Sequence, residues 1–154
     1  LANRLVPENG LCPEVCDLLL EGWRLLPKVA DLPLLLRAFE LKLLQAAGCT
    51  PFFDGCMQCG NPRATLFSVS RGGLVCPECS EREGFAGDFL LQAGTVALAR
   101  TLLKIHLNQI RVIRPQHRQE QELSKVTESF MQYHLQIGPI KSLDLVKSLS
   151  SPGL

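Results

Sequence analysis

The chain contains two pairs of closely spaced cysteines, which are candidate metal ligands. Cys56 and Cys59 form one Cys-x-x-Cys pair, Cys76 and Cys79 form a second, and sixteen residues separate the two pairs. Each pair makes a tight knuckle that directs two sulfurs at one point, and two knuckles at this spacing complete a tetrahedral metal site. The pattern therefore predicts one Zn²⁺ bound by Cys56, Cys59, Cys76 and Cys79.

Four thiolates fill the zinc coordination shell, so the predicted site is structural rather than catalytic. A thioredoxin-like redox pair would need one Cys-x-x-Cys at the start of a helix in a βαβ unit, and two disulfides or unliganded thiols are the remaining alternatives. A zinc deaminase would need a His-x-Glu element, which none of the three histidines provides. With no hydrolase, phosphate-loop or metalloprotease motif in the chain, we predict that the protein is not an enzyme.

Amphipathic helices are predicted before the cysteines. A stripe of apolar residues at helical spacing predicts a first helix over about 13–26 with this stripe facing the core: Cys16, Leu19, Leu20, Trp23 and Leu26. Asp31 is a good N-cap for a second helix that ends before Gly48. Because Cys12 and Cys16 lie on the apolar side of the first helix, we interpret them as small buried residues rather than additional ligands, and Cys49 likewise.

Between Thr50 and about Gly87 the helical period is lost, and residues 65–75 are typical of a short β-hairpin. Helical patterning returns around Val96, pauses at Pro115 and continues to Gly138, and a short last helix is predicted over about 141–149. We therefore expect a mainly α fold, a helical bundle with an inserted four-cysteine zinc ribbon at about 50–87, in a single domain over residues 1–154.

The composition and net charge exclude several classes of protein. The hydrophobic content is 46% and the formal net charge is +1, which is typical of a globular chain and not of a strongly basic nucleic-acid binder. No apolar run reaches the roughly 18 residues that cross a bilayer, and no leader pattern opens the chain, so a cytoplasmic protein that does not bind membranes is expected. The first residue is Leu rather than Met, which suggests a fragment or a processed product.

Positive charge is concentrated in the last third of the chain. Between residues 100 and 118 there are two histidines, no carboxylate and five cations: Arg100, Lys104, Arg111, Arg114 and Arg118. The stretch predicts a surface that faces an anion, either DNA phosphate or an acidic peptide, although a solvated helix face is the simpler interpretation.

Several of these residues also form an ordered set of motifs. They are the run Leu-Leu-Leu-Arg-Ala-Phe-Glu-Leu-Lys-Leu-Leu at 34–44, Gly48-x-x-Pro51, Cys56-x-x-Cys59-Gly60, Gly72-Gly73-Leu74-x-Cys76, and Tyr133-His134-Leu135 before Lys141-Ser142-Leu143. In this order the motifs resemble the C-terminal helical and zinc-binding region of bacterial recombination protein O, RecO, over roughly residues 11–149. No alternating strand pattern precedes the first helix, so the N-terminal OB-fold of that family is expected to be absent from this chain.

The resemblance implies a recombination mediator of DNA repair, in the RecF pathway and associated with the nucleoid. Its implied partners are single-stranded DNA, RecR, RecF and the C-terminal tail of single-strand-binding protein, and its implied role is annealing and the loading of RecA. The alternative from the residues alone is a zinc-stabilised adaptor that binds only proteins, which the near-neutral net charge favours.

Overall fold

The computed structural model describes residues 13–84 and 87–135, and the predicted mainly α fold is confirmed. The helices are α1 (Pro13–Leu25), α2 (Leu32–Ala46), α3 (Pro77–Glu83), α4 (Ala93–Lys104) and α5 (His117–Leu135), with short 3₁₀ helices at Leu26–Lys28 and Leu107–Val112. The strands are β1 (Leu66–Ser68), β2 (Gly73–Val75) and β3 (Phe89–Leu90). The last predicted helix, 141–149, lies outside the described residues.

Helix α2 is the centre of the helical part. As predicted, Asp31 caps it, because the Asp31 Oδ1 accepts a hydrogen bond from the Leu34 amide at 2.9 Å. The helix packs against α1, α4, α5 and the second 3₁₀ helix, so it is buried around most of its circumference. Leu41 and Leu44 are fully buried together with the neighbouring α4 residue Leu102.

The directions of the helices follow from their contacts with α2. Arg37 hydrogen bonds Ser124, and Thr127 hydrogen bonds Glu40, so α5 runs parallel to α2. Gly22 lies against the ring of Phe39, and a turn of only a few residues joins α1 to α2, so α1 runs antiparallel to α2. Helix α1 therefore begins at the end of the bundle where α2 and α5 finish.

The predicted burial of α1 is wrong, although its bounds are correct to within one residue. Helix α1 buries Val15, Gly22 and Leu25, while Trp23 is 77% exposed and Leu20 is 55% exposed. Gly22 faces α2, and a Cβ at this position would stand 3.1 Å from the Phe39 ring, so glycine favours this close approach of the two helices. Apolar residues surround this helix on more than one side, so the periodicity could not select the buried side.

The predicted hairpin is confirmed and extended by a third strand. Strand β1 pairs antiparallel with β2 in the register Phe67 to Leu74, and antiparallel with β3 in the register Phe67 to Phe89, so the order is β2-β1-β3. The β1–β2 turn uses Gly72 at φ 81°, a left-handed conformation that glycine adopts readily. Two-residue β3 carries too little pattern to be recognised in the sequence.

The small sheet packs directly against α5. The ring of Phe67 is fully buried, 5.2 Å from the ring of Phe53 and 6.3 Å from that of Phe130. One turn further along α5, the His134 Nε2 lies 2.7 Å from the carbonyl oxygen of Val69. The ribbon and the helices consequently share one apolar cluster.

Charged residues are buried between α2 and α5. Arg37 and Glu40 are 4% and 1% exposed, and the Arg37 Nη1 lies 3.0 Å from the Glu40 Oε2. The same guanidinium donates to the hydroxyl of Thr127 at 3.1 Å and lies 3.6 Å from a carboxylate oxygen of Glu128. A buried ion pair needs such additional hydrogen bonds to offset the cost of desolvation. Within residues 13–84 and 87–135, no helix is both long and apolar enough to cross a membrane.

Candidate functional site

The four predicted cysteine ligands come together at one point. Their Sγ atoms all lie within 4.8 Å of one another, and the Sγ atoms of Cys59 and Cys76 are 3.6 Å apart. A tetrahedral site with metal–sulfur bonds of about 2.3 Å would place its sulfurs about 3.8 Å apart, whereas a disulfide requires about 2.05 Å. The spacing therefore fits a metal ion held by four thiolates and excludes a Cys59–Cys76 disulfide in this structure.

Local backbone geometry directs the first pair of sulfurs. The Cys56 amide donates to the carbonyl of Asn61 at 2.9 Å, and the Gly60 amide donates to the carbonyl of Cys56 at 2.9 Å. Gly60 has φ 73°, which allows the chain to reverse immediately after Cys59. The sequence Cys-x-x-Cys-Gly folds into a knuckle because of these local bonds.

The second pair lies where β2 leads into α3. Cys76 is the residue before the helix, Pro77 occupies the first helical position, and the Ser80 amide donates to the Cys76 carbonyl at 2.9 Å. This turn of helix brings Cys79 back beside Cys76. The β1–β2 pairing then holds the second pair next to the first, with a hydrogen bond from the Cys76 amide to the Cys56 Sγ at 3.3 Å.

The thiols differ in exposure and in acidity. Cys56, Cys76 and Cys79 are buried, whereas Cys59 is exposed. Burial acts to raise the pKa of Cys56, but hydrogen bonds from the amides of Cys59 and Cys76 outweigh it, and the pKa falls to about 6. The amide of Cys79 acts to lower the pKa of Cys76, but burial, the Glu78 carboxylate and the neighbouring thiols raise it above its ordinary value. Four crowded sulfurs therefore do not all ionise by themselves, and a divalent cation would supply the missing positive charge.

The other cysteines do not belong to this cluster. Cys16 and Cys49 are half-buried, and neither is among the described residues that could hold a metal together. Cys12 lies outside the described residues. Arg82, which the sequence analysis did not single out, donates to the Cys79 Sγ at 3.7 Å and so places a positive charge beside the thiolates.

The five predicted cations do not share one surface. Arg100 and Lys104 approach the carboxylate of Asp54 at 3.8 and 3.5 Å, and the Arg100 Nε donates to the carbonyl of Phe53 at 2.6 Å. These two residues of α4 therefore attach the helix to the start of the ribbon. The Arg118 Nε lies 3.0 Å from the Glu122 Oε1 within α5. Asp54 is far from the basic stretch in sequence, so only the fold reveals this pairing.

Arg111 and Arg114 line a separate groove beside the start of α2. The groove encloses about 910 Å³ between the second 3₁₀ helix and residues 28–33. It adds a third cation, Lys28, which the sequence analysis did not identify because it lies more than eighty residues away. Apolar side chains including Val29 and Val112 line the same groove, and Val112 is 83% exposed.

Comparison with known proteins identifies the family. A family model described as recombination protein O, C terminal, matches residues 1–144. A DNA repair protein RecO from Alkaliphilus metalliredigens is 31% identical over 121 residues, which cover 77% of this chain and 48% of the relative. Another from Pelotomaculum thermopropionicum is 32% identical over 139 residues, covering 88% of this chain and 53% of the relative. The chain spans about half the length of these curated relatives. It belongs to the RecO C-terminal family, as the ordered helix, knuckle and His-Leu motifs predicted.

Proposed function

We propose that this chain is the non-catalytic helical and metal-binding part of a recombination mediator in DNA repair. The curated relatives named DNA repair protein RecO support the role in repair. From the family resemblance we take single-stranded DNA, RecR, RecF and the tail of single-strand-binding protein as partners, and RecA loading through the RecF pathway as the outcome. In this role the protein acts at the bacterial nucleoid.

We further propose that the metal is a single structural zinc ion held by the four clustered cysteines. An all-thiolate tetrahedral site favours zinc, and four protein ligands leave no coordination position for a reacting water. Metal analysis of protein purified without chelator should give one zinc per chain. A chain that contains no zinc, or only iron, would contradict this assignment.

The groove beside the start of α2 is the best candidate for a binding surface in the helical part. Lys28, Arg111 and Arg114 bring three positive charges to its rim, and Asp31 contributes one negative charge. No described carboxylate lies within 4.0 Å of any of the three cations. By contrast, Arg100, Lys104 and Arg118 already have carboxylate partners. This difference in pairing is the observation that carries the proposal.

Such a groove suits an acidic peptide that also contains apolar residues. Cations at the rim attract carboxylates, and the exposed side chain of Val112 offers contact to an apolar end. DNA phosphate would use the same cations, and its affinity would fall steeply with salt. We therefore assign the anionic tail of single-strand-binding protein to this groove, with a lesser contribution to single-stranded DNA binding.

Charge reversal tests the assignment. The variant Lys28→Glu/Arg111→Glu/Arg114→Glu should bind a labelled acidic tail peptide roughly tenfold more weakly, because each exposed ionic contact contributes about 0.2 to 1 kcal/mol. Arg24→Glu/Arg63→Glu/Lys125→Glu changes the net charge equally at exposed positions outside the groove and serves as the matched control. Equal affinity of the two variants would remove the groove from the proposal, and loss of binding only on disruption of the ribbon would move the site there.

The alternative function is a zinc-stabilised adaptor that binds proteins only. The net charge of +1 favours it, and so does the pairing of three of the five predicted cations with carboxylates. A titration of labelled single-stranded oligonucleotide at two salt concentrations distinguishes the two functions. Salt-dependent binding supports the mediator, whereas peptide binding without any oligonucleotide binding supports the adaptor.

A further inference from the structure

The four cysteines of the metal cluster are not equally accessible to solvent. Residues 57–60, which include Cys59, are all exposed. The other three ligands are only 2 to 3% exposed, and they are Cys56, Cys76 and Cys79. A small reagent dissolved in water therefore reaches Cys59 much more readily than it reaches the rest of the cluster.

Hydrogen bonds also distinguish the sulfurs. The Cys56 Sγ accepts from the Cys76 amide at 3.3 Å, and the Cys79 Sγ accepts from the guanidinium of Arg82 at 3.7 Å. Such donors stabilise the charge of a thiolate and make it a weaker nucleophile. Among the described hydrogen bonds, none brings an N–H donor to the Cys59 Sγ. Cys59 thus combines access from solvent with a sulfur that no described N–H group stabilises.

A second sulfur lies close enough to complete a disulfide with Cys59. The Cys76 Sγ is 3.6 Å from the Cys59 Sγ, whereas the bond length of a disulfide is about 2.05 Å. The two sulfurs would need to approach each other by only about 1.5 Å. Cys59 lies in a turn rather than in a strand or helix, so a local rearrangement of the knuckle supplies this movement.

We propose that Cys59 is the site at which a peroxide oxidises this protein, and that its disulfide with Cys76 releases the metal. The inference rests on the zinc site proposed above. In the first step the Cys59 thiolate attacks one peroxide oxygen, so an S–O bond forms, the O–O bond breaks and hydroxide leaves. In the second step the Cys76 thiolate attacks the sulfur of the Cys59 sulfenic acid, so an S–S bond forms, the S–O bond breaks and a second hydroxide leaves.

The two steps together oxidise two thiolates by two electrons and reduce one peroxide. Both hydroxides take up protons from the solvent and become water. Only Cys56 and Cys79 then remain as thiolate ligands, whereas a structural zinc site needs four. Zinc is therefore released, and a dithiol reductant together with added zinc should restore the original site by reducing the disulfide.

Peptide mapping of the oxidised chain tests the assignment without any substitution at the cluster. In the variant Cys12→Ser/Cys16→Ser/Cys49→Ser only the four ligand cysteines remain to react. Its zinc content is measured, one equivalent of hydrogen peroxide is added, and zinc release is followed with a coloured chelator. After alkylation of the unreacted thiols, mass spectrometry should find the Cys59–Cys76 disulfide, with one zinc released for each peroxide consumed. The unmodified chain is mapped in the same way if this variant does not retain zinc.

An exchange of ligands identifies the reactive sulfur by a second route. Cys59→His keeps a ligand at the exposed position, since zinc accepts three cysteines and one histidine, but it removes the thiolate. This variant should retain its zinc at a peroxide concentration that empties the unmodified chain. Cys79→His is the matched control, because it replaces a buried ligand and leaves Cys59 in place. It should lose its zinc as readily as the unmodified chain.

Three results would overturn the proposal. They are first oxidation at one of the buried ligands, a disulfide that joins Cys59 to Cys56 instead of Cys76, and release of zinc from Cys59→His as fast as from the unmodified chain. A chain that holds no zinc before peroxide is added would contradict the zinc site itself, and with it this proposal. The initial zinc content therefore distinguishes failure of the zinc site from failure of the oxidation step.

Discussion

The ribbon and the helices contribute to one apolar cluster, but they differ in what keeps each of them folded. The sheet has strands of three, three and two residues, and a sheet of this size is marginal in water by itself. Helices α2 and α5 have 15 and 19 residues, and each presents a continuous row of buried side chains to the other. The ribbon therefore depends on its cysteine cluster and on its contact with α5, whereas the helices depend on their own packing.

The largest expected effect is the loss of the proposed zinc ion. Cys59→Ser removes an exposed ligand with almost no change in packing, so its consequences report the metal alone. Structural zinc contributes about 10 to 16 kcal/mol of apparent binding free energy in small domains, and a hairpin this short has little else to stabilise it. We expect the zinc to be released and the amides of residues 52–76 to lose their protection from hydrogen exchange, while most of the helical circular dichroism signal remains.

Cys49→Ser is the matched control, because Cys49 is half-buried and lies outside the cluster. It should retain zinc and the protection of the ribbon. Complete loss of the helical signal in Cys59→Ser would show that the helices also need the metal, and the distinction between the two regions would be wrong.

A smaller effect is expected at the contact between the two regions. Phe67 is fully buried against Phe53 and Phe130, so Phe67→Ala should lower the free energy of unfolding by about 3 to 5 kcal/mol. Zinc should stay bound, since no ligand changes. Denaturant unfolding monitored by circular dichroism measures the loss, and Phe52→Ala, at a side chain that is 42% exposed, should cost far less. Similar losses in both variants would mean that the sheet is not seated on α5 through Phe67.

The smallest expected effect is on the pH dependence of stability, and it involves the helices alone. Burial, followed by the charge and hydrogen bond of Asp31, raises the pKa of Glu120 from 4.5 to about 7. The folded chain thus retains a proton that the unfolded chain has lost, so stability should fall as pH rises from about 4.5 to about 7 and change little above that. Glu120 is partly exposed, and solvent screening keeps the effect small.

Glu120→Gln should remove this slope of stability against pH, because the amide is neutral at every pH between about 4.5 and about 7. The difference in melting temperature between Glu120→Gln and the unmodified chain, measured from pH 5 to pH 8, isolates this carboxyl from the titration of the cysteines. Glu81→Gln removes an exposed carboxylate elsewhere and should leave the slope in place. An unchanged slope in Glu120→Gln would exclude the Asp31–Glu120 pair as its source.

Much of the local structure could be predicted from the sequence. The Asp31 cap, the helix bounds near Pro13 and Leu25 and the hairpin around Gly72 depend on residues within a few positions of one another, and all are found in the structure. Four short elements were missed: β3 and α3 in the ribbon, which have two and seven residues, and the two 3₁₀ helices of three and six residues. Segments this short are too brief to display a period in the sequence.

The clustering of Cys56, Cys59, Cys76 and Cys79 was predictable from the sequence, because Cys-x-x-Cys knuckles direct their sulfurs through local backbone bonds and a hairpin needs only a few residues to join the two knuckles. The contacts between distant residues depend on tertiary packing. Only packing shows that Gly22 faces α2 while Trp23 faces solvent, that Asp54 pairs with Arg100 and Lys104, and that Lys28 joins Arg111 and Arg114 in one groove. Each of these outcomes depends on the close approach of residues that are distant in the chain, and neither periodicity nor charge counting contains that information.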